Sequence, residues 1–352
     1  MKFNNILPIL AICLVLTGCG GGSSGTSSAP PPVGTAPPPP PPPPPAPPPS
    51  SPPSVEREIN PMLTSAAITI NLSPHVVINP DPAVAAKGRL FVMLPGTGAV
   101  PRFYRFILRT GAPRGYHAIG LTYPNDEAIG TLCANSAVAD CAGLARNEVI
   151  SGTDSSPLVN VNQTNSITGR LIALLTYLAA TFPNEGWAQY LANGQPNWPL
   201  ITVAGHSQGS GHAAYLAKLQ NLDRSVMFSG PADVGITQGS SAPWLSLPNI
   251  TPVSRQYGFT HTGDTLVPFS LATRNWGQIG LAAFGPPVSV DTVAVPYANS
   301  RQLMTSAAPN PNPPPDSTAA PTHGAPVVDV VTPLTPTGTP LFAPVWIYLV
   351  FP

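Results

Sequence analysis

The chain has 352 residues, only 9% of them charged, and its 15 Lys and Arg are balanced by 15 Asp and Glu. A chain of this composition has no basic face with which to neutralise phosphates, which excludes nucleic acid as a partner. Length alone is compatible with one large domain or two, but many of the 50 prolines fall between Ala29 and Pro53, in a Pro, Ala, Gly and Ser segment without apolar periodicity. Such a segment builds no core and stiffens into an extended spacer. One folded domain is therefore expected over 55–352, behind a spacer over 19–54. The low charge also suits a surface that meets apolar or insoluble material.

At the start of the chain, Lys2 precedes the apolar run Ile6 to Leu16, which is short for a bilayer span and has the length of a signal-peptide core. It ends in Leu16-Thr17-Gly18-Cys19, which resembles the lipobox of bacterial lipoproteins. The resemblance implies a signal peptide over 1–18, cleavage before Cys19 and a lipid anchor on that cysteine. Gly20, in place of an aspartate, implies the outer membrane of a Gram-negative cell, facing the periplasm or the surface. At about 3 Å per residue in the polyproline conformation, the spacer would then act as a stalk. Cys13 leaves with the signal, so Cys133 and Cys141 remain; their short separation and an oxidising, exported setting predict a disulfide. No further Cys or His lies close by in sequence, so no metal site is expected there.

The elements follow in order. Alternating β-branched residues predict strands at Ala66–Leu72 and His75–Asn79, paired as a hairpin at a sheet edge. Arg89–Leu94 is a stronger strand, followed by the turn Pro95-Gly96-Thr97-Gly98 and a helix over Val100–Thr110 with Pro101 in its first turn. Tyr116–Leu121 is the next strand. The polar stretch Asp126–Gln163 has no clear period and is read as an insertion at the rim of the sheet, with a lid as one possible role. Thr164–Phe182 has helical spacing, polar caps at Asn165 and Ser166, and Pro183 as a stop. Strands are predicted at Ile201–Ala204, Arg224–Phe228, Arg255–Thr260 and Val288–Val295, helix in the first half of Leu271–Phe284, and a final helix in Pro340–Phe351. This alternation implies a mostly parallel sheet covered on both faces.

Three stretches carry the chemistry. Gly205-His206-Ser207-Gln208-Gly209 joins the strand at Ile201 to a helix-compatible run, the layout of a nucleophile elbow, and a Cβ at either glycine would crowd the neighbouring backbone. Asp264 follows a later strand in His261-Thr262-Gly263-Asp264-Thr265-Leu266-Val267-Pro268, and His323 lies beyond the last predicted strand in Thr322-His323-Gly324. With Ser, Asp and His in that order, residues 66–352 resemble the α/β-hydrolase superfamily. The resemblance implies an α/β-hydrolase fold and a serine hydrolase with Ser207 as nucleophile, His323 as base and Asp264 as the acid; Asp233, also just past a strand, is the alternative acid.

Among the other histidines, His75 and His117 precede the elbow, His206 belongs to it, His212 lies in the helix beyond it and His261 is too near Asp264 to form a separate loop. The oxyanion hole is expected from the Gln208 amide and an amide of Thr97 or Gly98. Trp187, Trp198, Trp244 and Trp276 are left open between a polymer-binding face and core. No metal-ligand cluster, Walker loop or dinucleotide fingerprint occurs, so no cofactor is expected. The resemblance implies hydrolysis of a small-molecule or polymeric carboxylic ester. Amide hydrolysis, polyester depolymerisation and a non-catalytic surface lipoprotein on the same scaffold are the alternatives.

Overall fold

The computed structural model of the chain describes residues 55–311 and 320–352. The signal peptide over 1–18, Cys19 and the spacer over 19–54 lie outside the described residues. Among those described, nine strands form one sheet: β1 (Glu56–Ile59), β2 (His75–Ile78), β3 (Leu90–Leu94), β4 (His117–Gly120), β5 (Ile201–His206), β6 (Arg224–Phe228), β7 (Gln256–His261), β8 (Val288–Ser289) and β9 (Gln302–Thr305). Their spatial order is β1-β2-β4-β3-β5-β6-β7-β9-β8. All neighbours from β4 to β8 are parallel, whereas β1 pairs with β2, and β2 with β4, antiparallel.

The period of two along each strand divides the core. Leu90, Val92 and Leu94 of β3 face one apolar cluster, while Phe91 and Met93 face the other. The first cluster is covered by α4 (Ile167–Thr181), α5 (Gln208–Leu219) and α6 (Phe269–Ile279), the second by α1 (Arg105–Gly111) and α8 (Ala343–Val350). Strands buried on both faces read as continuous apolar runs, which is why RLFVML and RSVMF stand out in the sequence. Between β4 and α4 lie α2 (Ile129–Leu132) and α3 (Cys141–Ser151), and α7 (Pro321–Gly324) follows the last strand. Ser166 caps α4 by accepting from the Gly169 amide, as its sequence position predicts.

Several local expectations need correction. Ala66–Leu72 forms no strand: Asn71 takes φ 45°, and the Ile70 and Asn71 carbonyls accept from the Arg170 guanidinium at 2.8 and 3.0 Å instead of joining a ladder. The edge partner of β2 is Glu56–Ile59, and it does run antiparallel. Only Val288 and Ser289 of the predicted Val288–Val295 strand pair, and β9, which they pair with, was not foreseen. The stretch Pro101–Tyr104 is a 3₁₀ turn, and the helix begins only at Arg105. The insertion contains two helices, over Ile129–Leu132 and Cys141–Ser151, within otherwise irregular chain. Trp187, Trp198, Trp244 and Trp276 are all buried, so none contributes to an exposed aromatic face.

Candidate active site

The strand order turns around between β3 and β5, and in open parallel sheets the carboxyl ends at such a point leave a crevice. The loop after β3 (Gly96, Thr97, Gly98) and the residue after β5 (Ser207) both line a cleft of about 920 Å³ there. That volume suits a drug-sized ligand. His323, Gln208, Arg146 and Asp233 share the cleft, and Ala99, Phe103, Ile129, Leu266, Val267, Val328 and Val330 supply apolar walls.

Ser207 is held at φ 54° and ψ −118°, a region that a side-chain-bearing residue enters only under constraint. Its neighbours impose it. The Ser207 amide donates to the Phe228 carbonyl at 2.9 Å, continuing the ladder to β6, while α5 starts at the next residue. A Cβ on Gly205 would lie 2.0 Å from the Gly209 carbonyl, and one on Gly209 would lie 2.2 Å from the Leu94 carbonyl oxygen. Both approaches are backbone against backbone, so neither position accepts a larger residue without movement.

His323 and Asp264, 59 residues apart in sequence, meet through Nδ1 and Oδ2 at 2.8 Å, with both side chains buried. The other Asp264 oxygen, Oδ1, accepts from the Leu266 and Val267 amides at 2.9 Å each. An acceptor on Nδ1 places the neutral ring's proton there and leaves Nε2 as the basic nitrogen. Nε2 is buried and has no partner among the described residues. Ser207 and His323 share the cleft without a hydrogen bond between them, and such bonds commonly tighten only when substrate is present.

Asp233 lies apart from that pair. Its two oxygens accept from Arg146 Nε and Nη2 at 2.5 and 2.6 Å, and Oδ2 also accepts from Trp244 Nε1 at 2.7 Å. A fully occupied carboxylate of this kind is committed to the cation beside it.

His206 has a part that the sequence reading did not assign. The Gly96 amide donates to Tyr104 Oη at 3.0 Å, Tyr104 Oη lies 3.1 Å from His206 Nδ1, and His206 Nε2 lies 3.1 Å from the His323 carbonyl. Since that carbonyl only accepts, Nε2 carries the proton and Nδ1 accepts from the tyrosine. Burial, together with the His323 ring nearby, pushes the His206 pKa down to about 3, so it stays neutral in this chain of bonds. Ser229 Oγ donates to the same His323 carbonyl at 2.8 Å. His212, by contrast, is buried edge-to-face against Tyr123 and does not line the cleft.

The loop after β3 is pinned from the loop after β4. Tyr123 Oη donates to the Pro95 carbonyl at 2.6 Å, and Asn125 Nδ2 donates to the Gly96 and Ala99 carbonyls at 2.6 and 2.9 Å. Of the two amides expected as second oxyanion donor, that of Gly98 is occupied by the Asn125 carbonyl at 2.8 Å, a correction to its inclusion. The Thr97 amide has no acceptor among the described residues. The Gln208 amide sits in the first turn of α5, where helical N–H groups lack partners within the helix.

Cys133 and Cys141 form the expected disulfide, with a Cα–Cα distance of 5.8 Å, joining α2 to the start of α3. Among the described residues no group of His, Cys, Asp and Glu side chains is arranged to hold a metal ion, and no helix is long and apolar enough to cross a membrane. The chain matches no protein-family model and no curated protein.

Proposed function

We propose that the chain is a serine hydrolase of the α/β-hydrolase type that cleaves carboxylic esters through an acyl-enzyme on Ser207. The observation that carries this reading is the His323–Asp264 pair, which leaves a basic Nε2 buried in the cleft that Ser207 lines. His323 Nε2 takes the Ser207 proton as Oγ adds to the acyl carbonyl, and Asp264 stabilises the imidazolium that forms. The carbonyl oxygen turns negative and is received by the Gln208 and Thr97 amides. His323 returns the proton to the departing alcohol, and water repeats the sequence to release the acid. The apolar walls favour an apolar group on at least one side of the ester.

Replacing Ser207 with Ala is expected to abolish turnover of short p-nitrophenyl esters and labelling by a fluorophosphonate. Unchanged turnover in a folded variant overturns the reading, and an unlabelled wild-type protein favours a non-catalytic scaffold. Lipid attachment at Cys19 rests on the signal-like start and Leu16–Cys19, and an outer-membrane location on Gly20; the mass of the mature N-terminus tests the first and membrane fractionation the second.

A further inference from the structure

Two contacts from the insertion and one from the loop after β3 converge on Gln208. Its side-chain Oε1 accepts from Thr97 Oγ1 at 3.0 Å and from the Ile129 amide of α2 at 3.1 Å. Its backbone carbonyl accepts from Arg146 Nη1 of α3 at 3.0 Å. Arg146 is itself fixed by both oxygens of Asp233, and its side chain is 2% exposed. One residue is thus gripped on its side chain by two elements and on its main chain by a third.

A helix start does not require this. Gln208 is the first residue of α5, and Ser210 already bonds back to the Ser207 carbonyl by backbone and by side chain. Nor is a buried guanidinium–carboxylate pair an efficient way to gain stability, because desolvating two charges offsets most of their attraction. What the three contacts do achieve is to hold Gln208 at two places, its side-chain carbonyl and the backbone carbonyl of the peptide that follows it. The peptide before it, which carries the Gln208 N–H, then lies between these holds and the Ser207 carbonyl bound by Ser210, on a residue that lines the cleft. An oxyanion donor works by being fixed before charge develops, so the benefit of holding it appears in the transition state rather than in substrate binding.

Resting on the reading of Ser207 as nucleophile, we propose that Arg146, the Thr97 hydroxyl and the Ile129 amide form a three-point clamp that positions the Gln208 amide as oxyanion donor, with Arg146 as the positioning residue contributed by the insertion. Removing Arg146 alone would strand the Asp233 charge, so the informative variant is Arg146→Met with Asp233→Asn, which removes both charges and keeps an acceptor for Trp244. Thr97→Val is the lighter variant: it deletes the hydroxyl and keeps the Thr97 amide.

Steady-state kinetics on a p-nitrophenyl ester, with circular dichroism to establish folding, test the clamp. The double variant is expected to lose about 10- to 100-fold in kcat, below the full loss of an oxyanion donor, with KM little changed. Thr97→Val is expected to lose about 3- to 10-fold in kcat, and Thr97→Ser to recover it. Wild-type kcat in a folded double variant, or a loss confined to KM, overturns the clamp. If the double variant does not fold, Thr97→Val with wild-type kcat overturns it. Wild-type turnover insensitive to Ser207→Ala removes the underlying reading and the clamp together, whereas Ser207-dependent turnover with unaffected clamp variants removes the clamp alone.

Discussion

Asp264 and Asp233 both follow a parallel strand and both end beside the cleft, yet their partners separate them. Asp264 spends one oxygen on two backbone amides and turns the other to His323. Asp233 has both oxygens on Arg146. The consequence for the proposed triad is a clean expectation for Asp264→Asn. The amide keeps the shape of the carboxylate but cannot supply the charge that stabilises the imidazolium, so kcat should fall by about 10⁴-fold while the melting temperature changes little. A folded variant retaining a tenth of wild-type kcat contradicts this role. At the same scale, the importance of His206 was only partly legible. Its place in GHSQG marks it, but its use as a hydrogen-bonded link between Tyr104 and the His323 carbonyl depends on two residues more than 100 positions away on either side.

The elements divide into those with a strong local pattern and those without. β3, β6 and α4 were legible because their apolar residues recur at the period of a buried strand or of a helix. β1 and β9 were not. Glu56-Arg57-Glu58-Ile59 has one apolar residue, and it is a strand because an edge position tolerates charge and because Glu56 meets Arg105 and Arg109 of α1. The insertion hid its helices for a related reason: α3 interrupts its small apolar face with buried Arg146, whose partners lie far along the chain, and buried Glu148, which accepts from amides of the loop after it. The disulfide ties this segment together. Replacing Cys133 and Cys141 by Ser opens a loop with a sequence separation of 8, which should lower unfolding free energy by about 2–3 kcal/mol. A urea melt reads this directly, and an unchanged midpoint would mean that the folded insertion does not need the bond.

For the whole molecule, four of the buried histidines outside the proposed triad make stability fall in acid, and Asp329, whose carboxyl burial pushes up to about 7, works against them. Burial pushes His75 and His206 down to about 3, His117 down to about 4 and His212 well below its ordinary value. An unfolded chain takes up protons on these rings near pH 6.5, and the fold does not until far lower. With more protons bound in the unfolded state, stability falls as pH drops below about 6.5 and continues to fall until the folded rings protonate. Between pH 7.5 and 5.5 each such ring should cost about 1.4 kcal/mol, and protonation of Asp329 in the folded state should return about as much as one ring loses, which leaves a net loss of several kcal/mol. Urea melts at the two pH values check this, and equal midpoints contradict it.

The sequence by itself determined the α/β alternation, the sharp turn at Ser207, the order of the candidate residues and the cysteine pair. Each of these is written in a short window: an apolar period, two glycines that permit close backbone approach, or two cysteines a turn or two apart. Only the tertiary structure decided that His323 meets Asp264 rather than Asp233, that Gly98 is occupied while Thr97 is not, and that the insertion reaches in to hold Gln208. Those outcomes join residues separated by 59 positions for the pair, 27 for the Gly98 amide, and 111 and 62 for Gln208, and no local pattern encodes which of them meet. Strand order decides it, because the turn-around between β3 and β5 brings the loops after β3, β5, β6 and β7 to one end of the sheet, where their side chains compete for partners.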